Sequence, residues 1–275
     1  MKAQTMPSAS PPPSLYRRQR LAQVHVFDAS AMPWHETGKA GLRLKAVLND
    51  DERGEFLGLI GFDPFVRSGL HQHQGVATSF VIAGGLTDYH GDVNLHEVGI
   101  NVRGSTHDAM AYLPSVLVSR LEGPVTYPPE HGALSGLHAG SRHATFRNPN
   151  PDVPPEVNVP LDEVDLVATG ISGLQRQTAF DYAGTGSYRR MVQWRIRAET
   201  ELPVWHASEG VECWVRGGGV CINGINAHAN CFIVIEPGAQ VHITCAFGAL
   251  LLVWADGREQ WPSDQPNQTL NLFGF

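Results

Sequence analysis

The sequence predicts an all-β protein in which one barrel plan is used twice. Three observations carry that prediction. Short runs rich in β-branched and aromatic residues recur along the chain, separated by clusters of Gly, Pro, Asn and Asp, and 29 glycines and 19 prolines supply that punctuation. This is the pattern of a β-sandwich or barrel. Helical periodicity is scarce by comparison. The second half also repeats the landmarks of the first, and a repeat of this length is read before any single run.

Taken in order, the amino end MKAQTMPSASPPPSLYRRQR lacks the apolar core of a signal peptide. Its Pro and Ser content reads as a flexible tail over residues 1–20. The runs LRLKAVL, EFLGLIGF, TSFVIAG, SVLVSRL and PVTY place a first barrel over residues 21–147. NPNPDVPPEVNVP, residues 148–160, holds five prolines, which cannot donate to a strand ladder, and reads as a linker. The runs RRMVQWRIRA, VECWV, CFIVIE, QVHITCAF and ALLLVWA place a second barrel over residues 161–275.

The repeat is one of spacing. Gly41 to His73 spans 32 positions and Gly173 to His206 spans 33; Gly85 and Gly218 each fall 12 positions past those histidines. The segment GSTH ends at His107, 34 positions after His73, and EPGAQVH ends at His242, 36 after His206. Two copies of one domain account for these intervals.

Composition bounds the function. A chain of 275 residues, 42% hydrophobic and 17% charged, is globular and long enough for two domains. A net charge of −7 leaves no basic footprint for nucleic acid. No run approaches the roughly 18 apolar residues of a membrane span. With neither leader nor span, the cytoplasm is the expected location. Four cysteines, Cys213, Cys221, Cys231 and Cys245, show no CxxC spacing, which excludes a zinc ribbon or thioredoxin motif. Each sits in a strand-like run and reads as a buried free thiol.

The chemistry-bearing motif is His71-x-His73. Alternate strand residues share a face, so these two imidazoles converge, and His107 from a neighbouring strand would complete a three-nitrogen site. Imidazole suits zinc, copper, iron and nickel, and three protein ligands leave open positions for substrate or oxygen. His90, in TDYHGD, is the candidate fourth ligand, with Asp88 as its alternative. In the second copy Val204 stands where the first histidine of the pair would be. His206, Glu212 and His242 remain as a candidate second metal set, more simply a degenerate, structural copy. Phe80, Arg103 and Tyr112 are candidates for a substrate pocket: the aromatics lie near the first motif, and the arginine could orient an anionic ligand.

These residues resemble the cupin superfamily, whose first motif is a Gly-bounded strand carrying HxH and whose second is a Pro-Gly turn followed by a His. Gly69, His71, His73, Gly85, Gly104 and His107 match in the first copy. His206, Gly218, Pro237, Gly238 and His242 match in the second. The resemblance implies two small antiparallel jelly-roll barrels in tandem, a bicupin. The stretches MPWHETGKAGLRLKAVL and LEGPVTYPPEHGALSGLHA are similar to the group with dihydroxyacetophenone and acetylacetone dioxygenases and some zinc-binding anti-sigma factors. That group's enzymes imply a divalent metal, Fe(II) favoured over Zn, Mn or Ni. They also imply cleavage of a carbon–carbon bond in a small diketone, hydroxyketone or related aromatic substrate with O2. The superfamily's motif Glu is missing, since Ala77 and Thr78 occupy its usual positions. The expected partners are a small molecule and O2, without nucleic acid or membrane, in a monomer or homodimer. A metal-binding regulatory protein and a non-catalytic small-molecule-binding cupin are the alternatives.

Overall fold

The β-rich runs fold as antiparallel strands. The structure is a computed structural model and describes residues 13–88, 91–127, 158–181, 188–257 and 259–260. Among them the one helical element is the 3-10 turn Leu161–Glu163. Among the described residues no helix is long and apolar enough to cross a membrane. Contacts divide the chain into two compact units, each built of antiparallel β-sheets.

In the first unit seven strands form one sheet in the order Asn158–Pro160, Glu97–Asn101, Ala77–Ala83, Ser115–Glu122, Glu55–Phe62, Leu42–Asp50, His35–Glu36. Two smaller sheets complete the barrel: Thr106–His107, His71–His73, Val125–Thr126, and Val66–Arg67, Met110–Ala111, Leu86–Asp88, Gly91–Val93. The run EFLGLIGF sits between two neighbours and is buried at most positions, which is why it reads as nearly continuous apolar sequence. Its Gly58 faces a β-bulge in Leu42–Asp50, where the register shifts between Ala46 and Leu48. A Cβ at position 58 would lie 2.0 Å from the Lys45 carbonyl oxygen, so only glycine fits there.

The second unit has a ten-stranded sheet with the path Val24–Asp28, Cys231–Ile235, Val211–Ile222, Ala249–Ala255, Arg190–Ile196, Leu174–Asp181, Val167–Ala168. Gln240–Val241, Trp205–Ala207 and Glu259–Gln260 make a separate three-stranded sheet. Its core is a dense apolar cluster around the fully buried Trp194 and Trp205.

Residues 18–31, expected in the flexible tail as far as 20 and in the first barrel from 21, belong by their contacts to this second unit. Val24–Asp28 pairs along its whole length with Cys231–Ile235, from Val24 opposite Ile235 to Asp28 opposite Cys231. The pairing satisfies main-chain groups that an edge strand would leave open, and Val24 and Val26 pack onto the core. Glu236 fastens the approach: its Oε2 accepts from the Leu21 and Gln23 amides at 2.9 and 3.2 Å. His25 Nε2 lies 3.3 Å from Glu236 Oε1. Arg18 pairs with Glu212 at 2.7 Å. An added strand leaves no mark in the period of its own sequence, so only its partner reveals it. Of the linker expected over 148–160, residues 148–157 lie outside the described residues, whereas 158–160 are not linker but the strand Asn158–Pro160, paired into the seven-stranded sheet.

Candidate metal centre

The strand His71–His73 runs between Thr106–His107 and Val125–Thr126. Its register sets His107 directly opposite His71. Residues i and i+2 of a strand share a face, and so does the residue paired across from them. His71, His73 and His107 therefore turn inward, while Gln72 turns the other way and its Nε2 donates to the Gly104 carbonyl at 3.0 Å. His107 Nε2 lies 3.0 Å from the Nε2 atoms of both His73 and His71. All three rings are buried.

The surrounding groups decide which nitrogens face the centre. His71 Nδ1 is 2.6 Å from the Gly69 carbonyl. A carbonyl only accepts, so the proton sits on Nδ1 and Nε2 offers its lone pair. Gly69 adopts φ +82, a left-handed turn that directs its carbonyl back at the ring. Asp108 anchors that turn: it accepts from the Gly69 amide at 2.9 Å and pairs with Arg67. His107 Nδ1 lies 3.0 Å from Asp88 Oδ2, the carboxylate–imidazole arrangement that orients a metal-binding ring. Burial first, and then the neighbouring His107, push the His71 pKa from 6.5 down to about 4. The ring is neutral at pH 7, with its lone pair available. A buried cluster of converging imidazole lone pairs fits a divalent transition-metal ion.

Beside the histidines lies a cavity of about 170 Å³. Its walls are largely aliphatic and aromatic, with Leu42, Leu44, Ile60, Phe62 and Leu117 among them. Ser79, Asn101, Asp88 and Tyr127 bring polar groups to it. Ser79 is already hydrogen-bonded to Ser119 at 2.8 Å. Tyr127, which is 66% exposed, stands with its ring centroid 6.1 Å from that of His71.

The three pocket candidates do not line this cavity. Phe80 is fully buried but stacks on His96, with centroids 6.0 Å apart, because the strand alternation that turns Ser79 inward turns Phe80 away. Arg103 is exposed on the turn before Gly104. Tyr112 is 54% exposed and packs edge-on against Phe65. The candidate fourth ligand His90 lies outside the described residues. Asp88, its alternative, stands behind His107 as a hydrogen-bond acceptor.

The candidate second set, His206, Glu212 and His242, is not brought together. In the strand Trp205–Ala207 the buried, inward residues are Trp205 and Ala207, with His206 between them on the other face. Val241, opposite Trp205, points into the core, and His242 points out to Glu201, with Nε2 2.8 Å from Oε1. Both histidines are thus one residue out of step with the inward positions, and a one-residue offset sends a side chain to the opposite face. Glu212 is buried but paired with Arg18, and it alternates with the core residues Val211 and Cys213. Among the described residues one further group has ligand spacing: Asp28, His228 and Cys231. There His228 is 65% exposed and its Nε2 stands 3.8 Å from Asp28 Oδ2.

Sequence reasoning missed Asn101 and Tyr127, and read Asp88 only as a ligand. The alternation in EVGIN could have put Asn101 on one face with Gly99, but not said which face is the inner one.

Residues 22–126 match the family model of the ChrR cupin-like domain. No curated protein sequence matches the chain. Among solved structures, a protein of Nostoc punctiforme provisionally described as a dioxygenase superposes with a TM-score of 0.68 at 12% identity, over 86% of this chain and 84% of that one. Salicylate 1,2-dioxygenase of Pseudoaminobacter salicylatoxidans with gentisate gives 0.60 at 15% identity, over 86% and 82%. Oxalate decarboxylase of Lactobacillus farciminis in its formate complex gives 0.58 at 15%, over 86% and 87%. At such identities the likeness speaks for the fold. Residues 22–126 thus match a cupin family model, and along most of its length the chain has the fold of these cupin-type structures.

Proposed function

We propose that the first barrel is a non-haem Fe(II) dioxygenase that cleaves a carbon–carbon bond in a small diketone, hydroxyketone or related aromatic substrate. The observation that carries this reading is the trio of inward imidazole nitrogens at the wall of a small apolar cavity. The Nε2 atoms of His71, His73 and His107 would hold a divalent transition-metal ion between them. When bound, Fe(II) supplies Lewis acidity and redox capacity toward O2, with coordination positions beyond the three imidazoles.

The chain's own residues supply the rest. Gly69 and Asp88 hold the proton of His71 and of His107 on Nδ1, so both Nε2 atoms stay available. Neutral imidazoles add no negative charge to the centre, which favours an anionic, enol-derived ligand there. The aliphatic walls exclude water and strengthen every polar contact made inside. The dioxygenase-described neighbours share this architecture.

The test is oxygen uptake by iron-loaded protein, with metal content measured, against a 1,3-diketone, a hydroxyacetophenone and a catechol. Consumption with at least one, abolished in His71→Ala, is expected. Silence across all three with iron in place would remove the dioxygenase reading. The three-histidine cluster would then be read as a regulatory or ligand-binding metal centre.

A further inference from the structure

We propose that Asn101 selects and orients the ligand beside the three histidines by accepting a hydrogen bond from a ligand hydroxyl, and that the site rejects a dicarboxylate. The inference deepens the dioxygenase reading and rests on the same site.

Asn101 ends the strand Glu97–Asn101, where it pairs with Ala77, and its side chain lines the cavity together with His71, His73 and His107. It is 8% exposed, and its Oδ1 is buried without a hydrogen-bond partner. An orphaned buried amide oxygen destabilises a fold, so such groups are rare and call for an explanation. Two further polar lining residues are already engaged, Ser79 by Ser119 and Asp88 by His107. Asn101 therefore presents an unused acceptor to whatever occupies the cavity, and the complementary group is a hydroxyl.

Charge narrows the class further. Among the described residues lining the cavity there is no lysine or arginine. A divalent ion can balance one enolate, but the second charge of a dicarboxylate would be buried against aliphatic walls; Lys39, close enough to act on His71, stands outside the lining residues. Volume narrows it again. An apolar cavity of about 150 Å³ holds a benzene molecule, so 170 Å³ suits a compound of about six to eight non-hydrogen atoms.

The test is calorimetric titration of full-length, anaerobic, metal-loaded protein, with metal content confirmed for each variant. The ligands are acetylacetone, hydroxyacetone, its isostere butanone, and oxalate; the proteins are wild type, Asn101→Ala and Asn101→Thr. Wild type should bind acetylacetone, reject oxalate and prefer hydroxyacetone over butanone by about tenfold, the worth of one hydrogen bond. Asn101→Ala should lose that preference, and Asn101→Thr, which keeps an acceptor, should recover part of it. Metal content should not change, and the ligand-free Tm of Asn101→Ala should not fall. An undiminished preference in Asn101→Ala, oxalate binding as tight as acetylacetone binding, or a large drop in ligand-free Tm would each overturn the proposal. Ligand binding that depends on Asn101 without oxygen uptake would overturn the dioxygenase reading alone.

Discussion

At the scale of single residues, the centre depends on groups that never touch the ion. Asp88 and the Gly69 carbonyl each fix one ring nitrogen as donor, leaving the opposite nitrogen as acceptor. Asp88→Asn should therefore keep the fold but lower metal affinity about 10- to 100-fold, measured by Co(II) titration of the full chain. An unchanged affinity would mean that the carboxylate does not set the His107 ring. Sequence spacing made His71, His73 and His107 legible because the i, i+2 rule is local. Asp88 was legible only as a carboxylate near the motif. Its place behind His107, rather than in front of it, depends on how Leu86–Asp88 lies against Thr106–His107, which no local pattern encodes.

At the scale of the strand, one residue of offset separates a metal site from a packed core. His71–His73 and Trp205–Ala207 show the same alternation of buried and half-buried positions, but the inward slots hold imidazoles in one and Trp and Ala in the other. The sequence alignment set His206 on His73 and His242 on His107, whereas the alternation sets His206 on Gln72. Spacing alone could not expose the slip, because loops of unequal length change a count by one without changing the fold. His206→Ala should leave metal content untouched and shift stability by less than about 0.5 kcal/mol. Trp205→Ala, which empties a fully buried site, should cost about 3–5 kcal/mol, read by denaturant unfolding. Loss of metal in His206→Ala would refute this register.

At the scale of the whole chain, the two barrels divide the labour between a ligand chamber and a filled core. The first keeps a 170 Å³ cavity beside its histidines. The second fills the equivalent space with Trp205, Ala207, Val241 and their neighbours. Metal should therefore stabilise the first barrel selectively, by about 2.7 kcal/mol at a free concentration one hundred times Kd. Hydrogen exchange should show this as slower exchange in His71–His73 and Thr106–His107, with Trp205–Ala207 unaffected. Equal protection in both barrels would point to a second ion. The strand Val24–Asp28 belongs to the same scale: it precedes the first barrel in sequence and closes the sheet of the second.

The sequence by itself determined the all-β class, the duplication and the three histidines, because each is written in short-range periodicity or in spacing along the chain. Only the tertiary structure decided which faces look inward, that the second histidine set is scattered, that Asp88 lies against the Nδ1 side of His107, and that Asn101 lines the cavity with its oxygen unpartnered. Those outcomes depend on register and packing between strands far apart in sequence, where a shift of a single residue exchanges the core face for the solvent face.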